Sequence, residues 1–268
     1  MSTYVISDIH GHYDEYMQML NLIAFSEKDK LFLAGDYVDR GAQTVEMLRW
    51  LETRPDNIIP IKGNHDVEYV GYIRLLQQID ESCELNTDQK SVEDTQILFE
   101  TLKYMLKMKA GDALKYFDYY GTVEDLIMNK GITFAELIRW ADLIDDLEYY
   151  KRFSINLKDC IVVHAGFCEE KDLYKSRYSF IEDFYIYARE EALDVGGIRN
   201  GMIIFGHTPT IAKDSLYYND GRVFKYYDKD KDCLFYNIDC GCGYKGSNIS
   251  ENCRLACIRL EDEAIFYV

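Results

Sequence analysis

The feature that most constrains this 268-residue chain is a recurrence near its start: three short apolar runs, each followed at once by a polar, glycine-containing cluster. Thr3 to Ser7 leads into Asp8-Ile9-His10-Gly11-His12, and Leu31 to Ala34 into Gly35-Asp36-Tyr37-Val38-Asp39-Arg40-Gly41. Asn57 to Ile61 leads into Lys62-Gly63-Asn64-His65-Asp66. Between the runs, Tyr16, Met17, Leu20 and Ile23 or Ala24, and then Val45, Leu48 and Leu51, fall at helical spacing, with Pro55 closing the second helix. Strand, helix, strand, helix, strand predicts a parallel sheet with right-handed crossovers, which sets consecutive strand ends side by side. Ligands of such sheets sit beyond the carboxyl ends of the strands, and all three polar clusters fall there.

Residues two apart on a strand point to one face, so Asp8 and His10 converge where the first strand ends. Asp8, His10, Asp36 and Asn64 then meet at one edge. Their oxygen and nitrogen donors suit divalent manganese, iron or zinc better than a site built on thiolates. If Asp36 lies between its neighbours, its carboxylate bridges two ions. In the same turn, Asp39 is read as orienting a histidine and Arg40 as gripping a phosphate; the blander alternative is a surface ion pair worth little. His164 directly follows the apolar run Cys160 to Val163, and His207 follows Met202 to Phe205. One histidine there would be a hydrogen-bonded structural residue, but two more at equivalent places, after three earlier clusters, are read as metal ligands.

From Val67 to about Tyr150 the character changes. Helical periodicity marks Val67 to Gln78, Val92 to Lys109, Ala113 to Tyr120 and Phe134 to Leu147, with Gly111, Gly121 and Gly131 as breaks. We therefore expect a single domain over 1–268 with a helical insertion at about 67–150, and the acidic stretch Ser82 to Asp94 as an exposed loop. The insertion is either added scaffolding or a lid that sets substrate choice. Beyond Phe153 to Leu157, a helix is expected over Phe180 to Leu193. The runs Arg222 to Tyr226, Cys233 to Ile238, Arg254 to Leu260 and Ala264 to Tyr267 are expected to form an antiparallel second sheet, with Asp239-Cys240-Gly241 as a structural turn.

A net charge of −17 argues against nucleic-acid binding, which needs clustered Lys and Arg. The residues after Met1 lack the regions of a signal peptide and no apolar run approaches a membrane span, so a cytoplasmic protein without membrane partners is expected. Eight cysteines in that setting are read as reduced thiols. Cys240, Cys242, Cys253 and Cys257 have spacings that match zinc ribbons poorly, and Cys168 has no helix start or basic neighbour to activate it.

In order and type, Asp8-x-His10, Gly35-Asp36-x-x-Asp39-Arg40, Gly63-Asn64-His65-Asp66, His164-Ala165-Gly166 and Gly206-His207-Thr208-Pro209 resemble the calcineurin-like metallophosphoesterases. Within them the likeness is to the phosphoprotein phosphatase family in its shorter bacterial and phage form. Tyr187-Ala188-Arg189-Glu190-Glu191 is similar to the segment carrying a second phosphate-binding arginine, with tyrosine where tryptophan is usual. Ile238-Asp239-Cys240-Gly241 and Leu255 to Leu260 are similar to the closing strands. The departures are the long insertion and Asp66, where eukaryotic members usually have glutamate.

The resemblance implies an α/β fold, a four-layer α/β/β/α sandwich of two mixed sheets. It implies two divalent ions, manganese first, with iron or zinc as alternatives. Asp8, His10 and bridging Asp36 would hold the first ion, and Asp36, Asn64, His164 and His207 the second. His65, oriented by Asp39, would be the general acid, with Arg40 and Arg189 on the phosphate. The leading expectation is a serine/threonine protein phosphatase acting on a phosphoprotein or phosphopeptide, for which Asp39 is the local clue. A dinucleoside polyphosphate (diadenosine tetraphosphate) hydrolase with a nucleotide polyphosphate substrate, or a non-catalytic metal-binding scaffold, are the alternatives.

Overall fold

The three early runs form β1 (Thr3–Ile6), β2 (Lys30–Leu33) and β3 (Ile58–Pro60) of a parallel sheet, with Tyr4 beside Leu31 and Leu31 beside Ile58. Helices α1 (Tyr13–Leu22) and α2 (Thr44–Thr53) make the crossovers. Helix α2 buries Val45, Leu48 and Leu51 as anticipated from periodicity; in α1 Tyr16 and Met19 are buried whereas Met17 and Leu20 are half-buried, and Tyr16 meets Trp50 edge to face at 4.8 Å. The computed structural model describes residues 1–82, 91–110 and 120–268. By contacts the chain divides into two compact units, 1–64 with 147–268, and 65–146.

The second sheet of the first unit begins with β4 (Tyr150–Ile155) and β5 (Lys158–Val163), an antiparallel hairpin. Its two turn residues, Asn156 and Leu157, both have left-handed backbone (φ 50° and 66°), the conformation that matches strand twist in a two-residue hairpin. Next come β6 (Gly201–Phe205), β7 (Phe224–Asp228) and β8 (Cys233–Asn237), in the spatial order β4-β5-β6-β8-β7. The last strands, β9 (Ala256–Arg259) and β10 (Ala264–Tyr267), return to the first sheet, giving β10-β9-β1-β2-β3.

Both sheets are therefore mixed, and the expectation of one antiparallel sheet from the C-terminal runs is corrected. Strand β8 runs parallel to β6, and β9 lies against β1. The physical reason is visible in their composition: both are nearly continuous buried runs, which suits interior strands covered on two faces rather than the alternation of a half-exposed sheet. The inner faces pack on each other through Val5, Phe32, Ile258, Val162, Ile204 and Tyr236. Phe32 and Phe153 stack at 4.4 Å between ring centroids.

The second unit is helical. Its elements are α3, which starts at Asn64 and runs to Ser82, α4 (Val92–Ala110), α5 (Tyr120–Glu124) continuing as a π turn over Asp125–Asn129, and α6 (Phe134–Asp145). Thr133 and Glu136 form a reciprocal capping box at the start of α6. Gly121, expected as a break, lies inside α5, whereas Gly131 (φ 62°) does follow a helical end. Of the segment expected over Ala113 to Tyr120 all but Tyr120, together with Gly111 and most of the acidic stretch, lies outside the described residues. Among the described residues no helix is long and apolar enough to cross a membrane.

Candidate active site

The candidate edge is assembled from strand ends. Past β1, β2 and β3 the backbone keeps pairing: Asp8 N–H donates to Gly35 O at 3.1 Å, His10 N–H to Asp36 O at 2.8 Å and Gly11 N–H to Tyr37 O at 2.9 Å. In the second sheet Gly206 N–H donates to His164 O at 2.7 Å, and Ile238 N–H to Phe205 O at 2.8 Å. These bonds carry the register of the strands into the loops and so fix the side chains that follow.

Asp8, His10, Asp36, Asn64 and His164 are all buried. Asp8, Asp36 and His164 offer ligand atoms that lie within 4.8 Å of one another. The Asp36 carboxylate stands 3.4 Å from His10 Nε2 and 3.5 Å from His164 Nε2, between the two rings. Asn64 Oδ1 is 3.0 Å from His164 Nε2 and 2.9 Å from His207 Nδ1. His10 Nδ1 and His164 Nδ1 each lie 2.9 Å from a backbone carbonyl, of Val38 and Ala34. A carbonyl can only accept, so both Nδ1 atoms carry a proton, which leaves Nε2 of a neutral ring as the atom that can ligate a metal. The donor set of carboxylate, amide oxygen and imidazole therefore fits divalent metal.

Two further properties show how tightly the edge is drawn. Asp8, His10, Asp36, Asp39, Arg40 and His207 all have left-handed backbone, with φ between 48° and 71°. Non-glycine residues at such angles carry strain, and its concentration here marks a functional edge. The neighbouring glycines leave no room for a side chain: a Cβ on Gly63 would fall 2.2 Å from Asp36 Oδ1, and one on Gly206 would fall 1.9 Å from Asp8 Oδ2.

Arg40 and Arg189 are exposed, unlike the buried ligands. The Arg40 guanidinium lies 4.4 Å over the Tyr244 ring, and a Cβ on Gly243 would meet Arg40 Nη1 at 3.0 Å. Arg189 Nη1 donates to Thr208 Oγ1 at 3.2 Å. The helix expected over Phe180 to Leu193 is in fact two, α7 (Ile181–Tyr187) and the single turn α8 (Glu191–Asp194), with Arg189 in the gap. The Tyr187 ring stands edge-on to His207 at 6.4 Å. Asp39 is buried at the second strand end, and His65 and Asp66 are buried in the first turn of α3, next along the chain from Asn64.

One residue read as part of a structural turn belongs to this edge. Asp239 follows β8, which runs parallel to β6, so it stands at a strand end as His164 and His207 do. It is buried, one carboxylate oxygen accepts the Gly241 N–H at 2.9 Å, and the other has no hydrogen-bond partner. Burial, then the Asp8 carboxylate, push its pKa up, against the pull of Arg40 and Arg189. The signal was present: Cys233 to Ile238 followed by Asp-x-Gly repeats the pattern of the other clusters. Among the described residues, the candidate metal groups contain no cysteine. Burial raises the Cys240, Cys242 and Cys257 thiols.

A profile of the calcineurin-like phosphoesterases matches residues 1–211. The chain belongs to this family. Among related calcineurin-like proteins is the symmetrical bis(5'-nucleosyl)-tetraphosphatase of Buchnera aphidicola subsp. Baizongia pistaciae, 37% identical over 92 residues, which are 34% of this chain and 33% of that protein. The enzyme of the same name from Chromobacterium violaceum is 29% identical over 141 residues, 52% of this chain and 50% of its own length. The chain thus spans from about a third to half the length of these relatives. The crystal structure of a candidate diadenosine tetraphosphatase has a fold similar to this chain's, at a TM-score of 0.52 and 16% identity, over 99% of this chain and 92% of its own.

The names of these relatives overturn the expectation of a serine/threonine protein phosphatase, and with it that of a phosphoprotein or phosphopeptide substrate. That expectation leaned on Asp39. The work expected of Asp39, orienting a histidine that protonates a leaving oxygen, is one that hydrolysis of either substrate can use.

Proposed function

We propose that this protein is a metal-dependent hydrolase of dinucleoside polyphosphates, cutting diadenosine tetraphosphate with water into two ADP. What supports the choice of substrate is the name of the sequence relatives, tetraphosphatases of the symmetrical kind. What supports the chemistry is the convergence of carboxylate, amide and imidazole donors on Asp36 and Asn64.

On this reading Asp8, His10 and Asp36 would hold one divalent ion and Asp36, Asn64, His164 and His207 a second, with manganese the first choice. When bound, the ions supply a water nucleophile at neutral pH and neutralise charge on the transferred phosphoryl group. The remaining work belongs to the chain. Arg40 and Arg189 offer planar, bidentate-capable donors to the phosphate oxygens. Local positive charge matters here because the protein as a whole carries −17 and would otherwise repel a polyanion. His65 would give a proton to the departing phosphate oxygen. The Val38 and Ala34 carbonyls keep the His10 and His164 rings in the ligating tautomer.

The test is to load the protein with manganese and follow diadenosine tetraphosphate and a phosphopeptide side by side. We expect ADP as the nucleotide product and little release of phosphate from the peptide. Preference for the phosphopeptide would overturn the substrate, and inactivity on both would favour the scaffold alternative.

A further inference from the structure

We propose that Tyr217 is a positioning residue for Arg189: its hydroxyl anchors the interrupted backbone from which the guanidinium reaches the catalytic edge. The proposal rests on Arg189 as a phosphate-gripping arginine.

The interruption needs an outside cause. From Ile181 to Asp194 the sequence contains no glycine or proline, the usual reasons for a helix to stop. Yet α7 ends at Tyr187 and Ala188 turns extended, with ψ 136°, before α8 begins at Glu191. Three contacts hold the gap. On one side Gly166, two residues beyond His164, seats so closely that a Cβ there would stand 2.9 Å from both Ala188 Cβ and Ala192 Cβ. On the other side the Tyr217 hydroxyl donates to the Arg189 carbonyl at 2.5 Å. That carbonyl also accepts the Ala192 N–H at 2.9 Å, so two donors occupy its two lone pairs. The third contact is the guanidinium itself on Thr208 Oγ1.

Tyr217 is well placed for this task because it cannot move. It is 1% exposed, and its ring is clamped edge-to-face between Phe205 (5.5 Å) and Phe224 (5.4 Å). Phe205 is the last residue of β6, just before Gly206 and His207. The strand that delivers His207 therefore also fixes, through Tyr217, the backbone of Arg189. Burial pushes the Tyr217 phenol up, so it remains a protonated donor through the neutral range.

Tyr217→Phe keeps the clamped ring and deletes only the donor. Four proteins, the parent, Tyr217→Phe, Arg189→Ala and the double variant, would be compared for affinity toward inorganic phosphate and for kcat/KM on diadenosine tetraphosphate, with a melting curve as the fold check. Hydrogen exchange at the Ala192 amide gives a readout independent of turnover. We expect Tyr217→Phe to weaken phosphate about three- to tenfold, the worth of one hydrogen bond, and to speed exchange at Ala192. The double variant should bind no more weakly than Arg189→Ala alone. Unchanged phosphate affinity in Tyr217→Phe, with Arg189→Ala clearly weakened, overturns the positioning role and leaves the arginine's role standing. Equal losses in both backgrounds also overturn it, because Tyr217 would then act without Arg189. Parent-like affinity in Arg189→Ala overturns instead the reading of the arginine.

Discussion

The close approach of a bare backbone to the buried Asp36 carboxylate offers a severe test at Gly63. An added methyl would lie 2.2 Å from Asp36 Oδ1, 2.6 Å from Asp36 N and 2.9 Å from His164 Cε1, where ordinary contact begins at 3.4 Å. Asp36 cannot retreat as a unit, since its carbonyl accepts the His10 N–H at 2.8 Å. Its carboxylate must swing by about an ångström, out of its place between His10 and His164. Gly63→Ala should therefore cost about 1–3 kcal/mol from overpacking and lower turnover by about 10²-fold, the scale of a one-ångström misplacement. Gly71 supplies the control: it lies within α3 with nothing inside 4 Å of an added Cβ, so Gly71→Ala should stabilise by about 0.5–1 kcal/mol and leave turnover alone. The assays are melting temperature, bound manganese after dialysis by elemental analysis, and hydrolysis rate. A Gly63→Ala protein with parental manganese and parental rate would refute the view that Asp36 is held in place by the missing side chain.

Two other tests address separate parts of the site and core. Asp36→Asn should lose both bound metal and turnover, whereas His65→Asn should keep metal and lose most turnover; a His65→Asn protein with near-parental rate would reject the general-acid role. Burial pushes the Cys160, Cys168 and Cys233 thiols up to about 11. Their folded values are raised, so each favours the fold fully below its unfolded value of about 8.5, and that contribution fades as pH rises from there toward 11. At pH 8 a thiol reagent should label these three only as fast as the protein opens, and fast, stoichiometric labelling of the native protein would contradict their burial.

What the sequence revealed and what it hid divide along a physical line. Asp8, Asp36 and Asn64 were legible because each follows an apolar run directly and the intervening helices dictate parallel neighbours. Asp239 follows such a run too, but its meaning depends on β8 pairing with β6 rather than with an antiparallel neighbour, a choice made by distant residues. The gap that exposes Arg189 was hidden for the same reason: it is imposed by Gly166 and Tyr217, with no local breaker. Left-handed backbone at Asp8, His10, Asp36 and His207 was equally unreadable, since propensity would have assigned it to glycine. Gly121 errs the other way, a helix-weakening residue carried inside α5. Asp39 shows a limit of another kind: as the local clue to a protein phosphatase it pointed away from the activity by which the sequence relatives are named.

The return of β9 to the first sheet bears on how the site comes into being. Tyr4, four residues before Asp8, pairs with Arg259 on one side as well as with Leu31 on the other. During synthesis the strand that supports the first ligand must wait, half-paired, until nearly the whole described chain has been made. Long-range pairing of this kind slows folding and leaves an open sheet edge in the meantime. Completion of this edge is thus deferred to a late event in the life of the nascent polypeptide, and shortening the chain before β9 would leave Asp8 on an unsupported edge.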